Sequence, residues 1–257
     1  MKALFSAATG MAAQQTQIDT IANNLANVST NGFKKVRVAF EDLVYQNIRT
    51  GEAAADANRP GQLEIGSGSR VIATQRDFSA GAIVQTNAPL DVAIQGRGMF
   101  TVQTPDGADK YTRVGAFNVN QDSELVTQQG YTVSPGITIP TDASEIIITE
   151  DGTVQARYSD ATDAVSIGQL EIVDFTNPNG LRALGGNLYA ATVESGEPIP
   201  MDSGDGLMLK QGFIEGSNVD VAEELIAMIM AQRSFEITSK AVESADETLQ
   251  VVNQLKR

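Results

Sequence analysis

Residues 21–35 read IANNLANVSTNGFKK. The first eight continue an apolar repeat begun at residue 4, and the last seven break it. Leu4, Ala7, Met11, Gln14, Ile18, Ile21, Leu25 and Val28 fall three and four apart, the spacing of a heptad seam. The repeat predicts one helix over residues 1–33, closed where Asn31 or Gly32 can take a left-handed backbone. Asn23, Asn24 and Asn27 lie on it with no acid, base or nucleophile beside them. Between Met1 and Phe33 charge is confined to Lys2 and Asp19, whereas a helix on a globular surface normally carries a charged outer face. Amides donate and accept hydrogen bonds without the desolvation cost of an ion. The segment reads as a helix enclosed by other helices once copies of the chain assemble. The competing reading is a helix packed on one domain with a polar outer face.

The other end of the chain offers a mate. Asp220 is placed to cap a helix, with Glu223 completing a capping box and Glu224 favoured by the first-turn dipole. Val221, Leu225, Met228, Phe235, Val242 and Leu249 then form a stripe, flanked by Ile229, Ala245 and Val252 and interrupted by Gln232, Ser239 and Asp246. Seams this narrow do not hold isolated helices; paired, each covers the other.

Between the ends the character changes. From about Asp77 to Gly204 the chain is rich in Val, Thr, Ile and Gly, with turn signals every eight to twelve residues or so. Pro105-Asp106-Gly107 and Glu150-Asp151-Gly152 read as hairpin turns, and Gln121-Asp122-Ser123 as a short connection. LDVAIQ, MFTVQT, FNVN, ITIP, EIIIT, TVQAR, LEIVDF and LYAATV read as strands. The fold class expected is α+β: N- and C-terminal helices paired as a coiled-coil-like domain, with an intervening all-β, barrel- or sandwich-like domain. The expected division is 1–35 with 220–257 as a discontinuous helical core, 36–76 with 205–219 as a connecting segment, and 77–204 as the β domain. FKKVRVAFEDLVYQNIR fits extended or partly helical chain, and the Gly-, Ala- and Pro-rich stretch after it fits a loop or hairpin.

Composition closes off most chemistry. The 257 residues contain no Cys, His or Trp, which removes thiol nucleophiles, the commonest metal ligand and the commonest general base. The net charge of −14 resides in the middle: residues 51–220 hold nine bases and 23 acids, residues 1–50 five and three, residues 221–257 four and six. That balance disfavours nucleic acid, whose phosphates require Lys and Arg. No apolar run reaches the length of a membrane span, and the start of the chain lacks the apolar run of a cleaved secretion signal.

Apparent motifs have ordinary readings. Gly66-Ser67-Gly68 and Gly96-Arg97-Gly98 do not open helices, so strand bends are expected rather than phosphate loops. Asp202-Ser203-Gly204-Asp205-Gly206 lacks the closing Glu of a calcium loop. Glu150-Asp151 and Glu223-Glu224 sit at a turn and a helix start, so neither makes a hydrolase pair. No catalytic, cofactor or metal residues are assigned. Lys34, Lys35 and Arg37 are expected to meet acidic neighbours.

Three stretches carry a resemblance. ATGMAAQQTQIDTIANNLANVSTNGFKK (8–35) resembles the N-terminal signature of bacterial flagellar axial proteins, the rod and hook subunits. DVAIQGRGMFTVQTPDG with YTRVGAFNVN resembles their β-domain signature, with Met99 where an aromatic is usual. EGSNVDVAEELIAMIMAQRSFEITSKAVESADETLQVVNQL resembles their C-terminal signature. The succession VSTNGFKK, FEDLVYQNIR and LEIGSGSRVIATQR is similar to that of distal-rod subunits; proximal rod or hook subunits are the alternative. The resemblance implies a non-enzymatic subunit without cofactors, exported through the flagellar type III apparatus with no cleaved leader. It implies a homo-oligomeric helical polymer around a channel, in a periplasm-spanning rod. Proximal rod proteins, hook protein and the P- and L-ring proteins are the implied partners, without membrane insertion. Residues 45–66 are expected to wedge between adjacent subunits. The implied assembly interface comprises Leu4, Met11, Ile18, Ile21, Asn23, Asn24, Leu25, Asn27, Val28, Val221, Leu225, Met228, Phe235, Val242 and Leu249.

Overall fold

A computed structural model describes residues 2–48, 63–158, 164–201 and 206–255. Much of the expected 45–66 wedge and most of the Asp202–Gly206 stretch therefore lie outside the described residues. The chain separates into a helical unit, residues 1–26, 36–75 and 220–257, and a β unit, residues 27–35 and 76–219. Residues 205–219, expected in the connecting segment, thus belong to the β unit, because their strands pair there.

The helical unit contains α1 (Lys2–Ala26) and α2 (Val221–Leu255), which pack on one another. Small residues permit the approach: Ala13 and Ala231 are buried, and a Cβ on Gly10 would lie 3.8 Å from Thr238 Cγ2. Asp220 caps α2 as expected, its Oδ1 accepting from Ala222 N at 2.8 Å and Glu223 N at 3.2 Å. α1 ends at Ala26, seven residues before the expected Phe33. There the Thr30 amide donates to the Asn27 carbonyl (3.1 Å) and the Thr30 hydroxyl to Asn27 Oδ1 (3.2 Å). Such local bonds compete with helix propagation, and Phe33 leaves to be buried in the β unit.

After the turn the chain is extended. Val36–Asp42 pairs with Ser69–Arg76, and Tyr45–Ile48 runs antiparallel to Leu63–Gly66. The Gly66-Ser67-Gly68 bend is a packing device: Gly68 has φ +112°, and a Cβ there would sit 2.1 Å from Thr9 Oγ1 of α1.

The β unit is built on a nine-stranded sheet in which Met99–Gln103 is central. It pairs with Asp109–Thr112 across the Pro105-Asp106-Gly107 turn, and with Thr132–Val133 and Ile172–Asp174. Ala143–Ile148 and Thr153–Tyr158 form the second expected hairpin about Asp151-Gly152, joined by Val165–Gln169. Met208–Gln211 pairs with Val92–Gln95, and Phe213–Glu215 with Ile83–Gln85. The core is aliphatic around Phe100 and Phe117, with a second cluster of Met99, Tyr111, Phe175 and Tyr189. Of the expected strands only ITIP fails: Ile137 and Ile139 are buried, but Thr138 makes a single bridge to Glu124.

One ion cluster lies within that unit. Glu215, 2% exposed, pairs with Lys34 at 2.7 Å and with Arg113, and also accepts from Gly81 N at 2.8 Å. Arg113 is further held by the carbonyls of Ile94 (3.0 Å), Gly96 (2.5 Å) and Gly98. The Gly96-Arg97-Gly98 bend therefore directs carbonyls at a cation, the opposite polarity to a phosphate cradle. Burial pushes the Glu215 carboxyl up, but Arg113 and Lys34 together outweigh it and hold it below its ordinary 4.5. A carboxyl depressed in the fold contributes stability above its unfolded pKa and loses it as pH falls through the folded one. Glu215→Gln should cost about 3–5 kcal/mol by leaving two cations buried, and should flatten the acid limb of stability below about pH 4.5. Urea melts between pH 3 and 7 measure both.

Candidate assembly surface on the terminal helices

Asn24 answers the question posed by the opening stretch, and the answer is internal. It is 1% exposed. Its Oδ1 accepts from Val36 N at 3.0 Å, and its Nδ2 donates to Val36 O at 2.9 Å and to Glu224 Oε2 at 3.2 Å. The amide imitates a strand partner for the returning chain and ties it to both helices. Only Asn or Gln carries donor and acceptor on one group for this. Asn24 is thus buried and bonded within the subunit. Asn23 is exposed on α1, and Asn27 lies in the turn, with the β unit.

The expected apolar residues divide into two sets. On α1, Ile21 is buried, and Leu4, Met11, Ile18 and Leu25 are half-buried; Val28, past the helix end, is also half-buried. On α2, Met228, Phe235 and Val242 are half-buried, whereas Val221 and Leu225 are exposed. The side chain of Leu249 lies outside the described ones. Among the described side chains of α2, those that are buried are Glu224 and Ala231, seven apart and thus on one face. Sequence reasoning had placed Glu224 at the helix dipole and not in the interior.

What the heptad reading passed over lies on the opposite face. Ile226, Met230 and Ile237 are 60%, 67% and 68% exposed, with Leu225 and Ile229 alongside. In the first turns, VAEELIAMIM is therefore apolar nearly all the way round. A helix of that kind belongs in an interior, and a contiguous exposed apolar patch marks an interaction surface. Phe5 of α1 is likewise 58% exposed. The signal was present in the sequence as the run Leu225-Ile226-Ala227-Met228-Ile229-Met230, but a one-stripe template discards it.

Among the described residues no group of three or more His, Cys, Asp or Glu could hold a metal ion, and no helix is long and apolar enough to cross a membrane. The described fold is thus a pair of packed terminal helices and a β-rich unit, with an exposed apolar face on α2. Three family descriptions match in chain order: "Flagella basal body rod protein" over residues 4–34, "Flagellar hook protein FlgE/F/G D1 domain" over 93–156, and "Flagellar basal body rod FlgEFG protein C-terminal" over 210–255. Similar relatives include the "Flagellar basal-body rod protein FlgG" of Borreliella burgdorferi, 46% identical over 100% of this chain and 99% of that one. The FlgG of Buchnera aphidicola subsp. Schizaphis graminum is 46% identical over 98% of each chain. That of Agrobacterium fabrum is 45% identical over 99% of each. The chain belongs to the family of flagellar basal-body rod proteins.

Asn24→Ala should destabilise the helical unit by about 1–3 kcal/mol, the cost of stranding buried polar groups. Asn24→Asp should cost more, because it sets a carboxylate against two acceptors, the Val36 carbonyl and Glu224. Denaturant melts followed by far-UV circular dichroism check the order.

Proposed function

We propose that the chain assembles with copies of itself into a helical polymer, the hollow distal rod that transmits torque and encloses an export channel. Family membership makes it a structural subunit of the flagellar basal body, in a family that is not enzymatic. The observation that carries the polymer is the uncovered back face of α2: Ile226, Ile229, Met230 and Ile237 are out of place in water. In this proposal α1 and α2 pair as a coiled-coil-like core closest to the channel, and residues 77–204 form a barrel- or sandwich-like outer domain. The interface comprises the expected residues other than Asn24, joined by that back face.

The finer setting follows the same reading. The rod spans the periplasm within the P and L rings, and joins proximal rod proteins at one end and hook subunits at the other. Supporting it are the low charge of α1, whose only ions are Lys2 and Asp19, and the concentration of acids in residues 51–220. Charge-poor helices associate with little desolvation cost, whereas acidic β units repel.

Ile229→Asp should leave monomer stability within about 1 kcal/mol, as for an exposed helix position, and abolish polymer. Leu25→Asp should block assembly as well, at a larger cost in stability because Leu25 is half-buried. Sedimentation velocity and electron microscopy of concentrated protein read both; ordered tubes from the Ile229→Asp protein would remove the α2 face from the interface.

A further inference from the structure

The two helices of the helical unit differ in length, 25 residues for α1 and 35 for α2. Asn24 meets Glu224 at 3.2 Å, and Gly10 faces Thr238. From Gly10 to Asn24, and from Thr238 back to Glu224, is fourteen residues on each helix, so the pair runs antiparallel in one constant register. In that register Ala26, where α1 ends, lies beside Ala222, and Lys2 lies beside Asp246. The pair is flush at one end and staggered at the other. There α2 continues for the nine residues 247–255, about 13 Å beyond α1 at the rise of an α-helix.

Exposure follows the register. Val242 and Ala245 are half-buried, whereas Glu247, Thr248, Gln250, Val251 and Gln254 are exposed, Val251 by 55%. The projecting sequence ETLQVVNQL contains one charged residue, Glu247, and carries the heptad spacing on from Val242 and Ala245 to Leu249 and Val252. A seam that outlasts its partner calls for a second helix. Toward the flush end the complementary deficiency appears, where the back face of α2 leaves Ile226, Ile229, Met230 and Ile237 exposed. From Ile226 to Ile237 is roughly 16 Å, enough to receive the projecting segment along its whole length.

We propose that residues 247–255 of each copy lie along the Ile226–Ile237 face of α2 in the next copy. The inference rests on the rod reading and deepens it, naming which part of one subunit meets which part of another. The two surfaces are different and sit toward opposite ends of one helical unit. Their pairing is therefore heterologous, the kind of contact that builds open filaments where a self-paired face stops at a dimer. It also gives the polymer a direction, since every projecting end points the same way. α1 is the poorer seat, because among the described residues it exposes one large apolar side chain, Phe5. Arg233 and Glu236, the charges bordering the α2 face, pair with each other at 3.2 Å, so a charge-poor segment docks there without stranding an ion.

The chain has no Cys, so single cysteines report proximity without background. Full-length Arg233→Cys and Gln250→Cys, both at exposed polar positions bordering the contact, are assembled together and treated with a short bismaleimide. Mixed tubes should give cross-linked dimers joining position 233 to position 250, in excess over tubes of either variant alone. Tubes whose mixture cross-links no more than the single variants would overturn the proposal and leave the rod reading standing. Val251→Asp is the second measure. Its position lies beyond α1, so the melt of the monomer should not move. The concentration at which tubes appear should rise about tenfold or more, through loss of one buried apolar side chain per contact. An unchanged onset would likewise overturn the proposal. Failure of the native chain to form tubes at any concentration would remove the rod reading and this proposal with it.

Discussion

A helix with apolar residues on every side is stable only when every side is covered, and the first turns of α2, Val221 to Met230, come close to being such a helix. One side is met by α1, where Ala231 and Glu224 disappear from solvent. The other presents Ile226, Ile229 and Met230 outward. Burying an isoleucine or methionine side chain contributes about 1.5–3 kcal/mol, so several together dominate whatever association this chain undergoes. Nothing else in the described structure combines this much exposed apolar surface with so regular a scaffold. The charge-poor α1, the acidic middle and the absence of catalytic chemistry make sense as accompaniments to that one unsatisfied face.

Two different polar devices hold the units in shape. In the helical unit Asn24 closes a loop by matching both backbone groups of Val36, and it takes Glu224 as a third partner. In the β unit the same task of holding distant segments falls to ions, with Glu215 joining Lys34 and Arg113. The amide gives modest energy with little desolvation, whereas the ion cluster gives strong mutual dependence, since removing one member strands the others. The chain runs through both devices within a dozen residues, from Asn24 to Lys34 and Val36. The opening stretch is therefore a junction as much as a helix.

Local rules made much of this legible. Asp220 capped its helix, Pro105-Asp106-Gly107 and Asp151-Gly152 turned their hairpins, and most of the alternating segments formed strands, because each depends on neighbours a few residues away. What could not be read depends on distant partners. Asn24 meets Glu224 across 200 positions, and Lys34 meets Glu215 across 181; no periodicity encodes either. The helix end was misplaced by seven residues for a related reason: Val28 continues the heptad, but Asn27 and Thr30 bond to each other and Phe33 is claimed by another unit. ITIP shows the converse, with correct burial at Ile137 and Ile139 but no ladder to join.

The separation of charge from apolar surface also bears on how association is kept specific. Residues 51–220 carry nine bases against 23 acids, and like charges on two approaching chains repel over a Debye length, about 8 Å at physiological ionic strength. The apolar face of α2 acts only at contact. An encounter that brings acidic surfaces together is therefore resisted before any apolar gain, while one that brings charge-poor helices together is not. In the proposed polymer, the same net charge of −14 opposes non-specific clumping through exposed apolar residues while leaving the helix faces free to meet. A chain with this face and no net charge would face the opposite balance, since proteins near neutrality associate and precipitate readily.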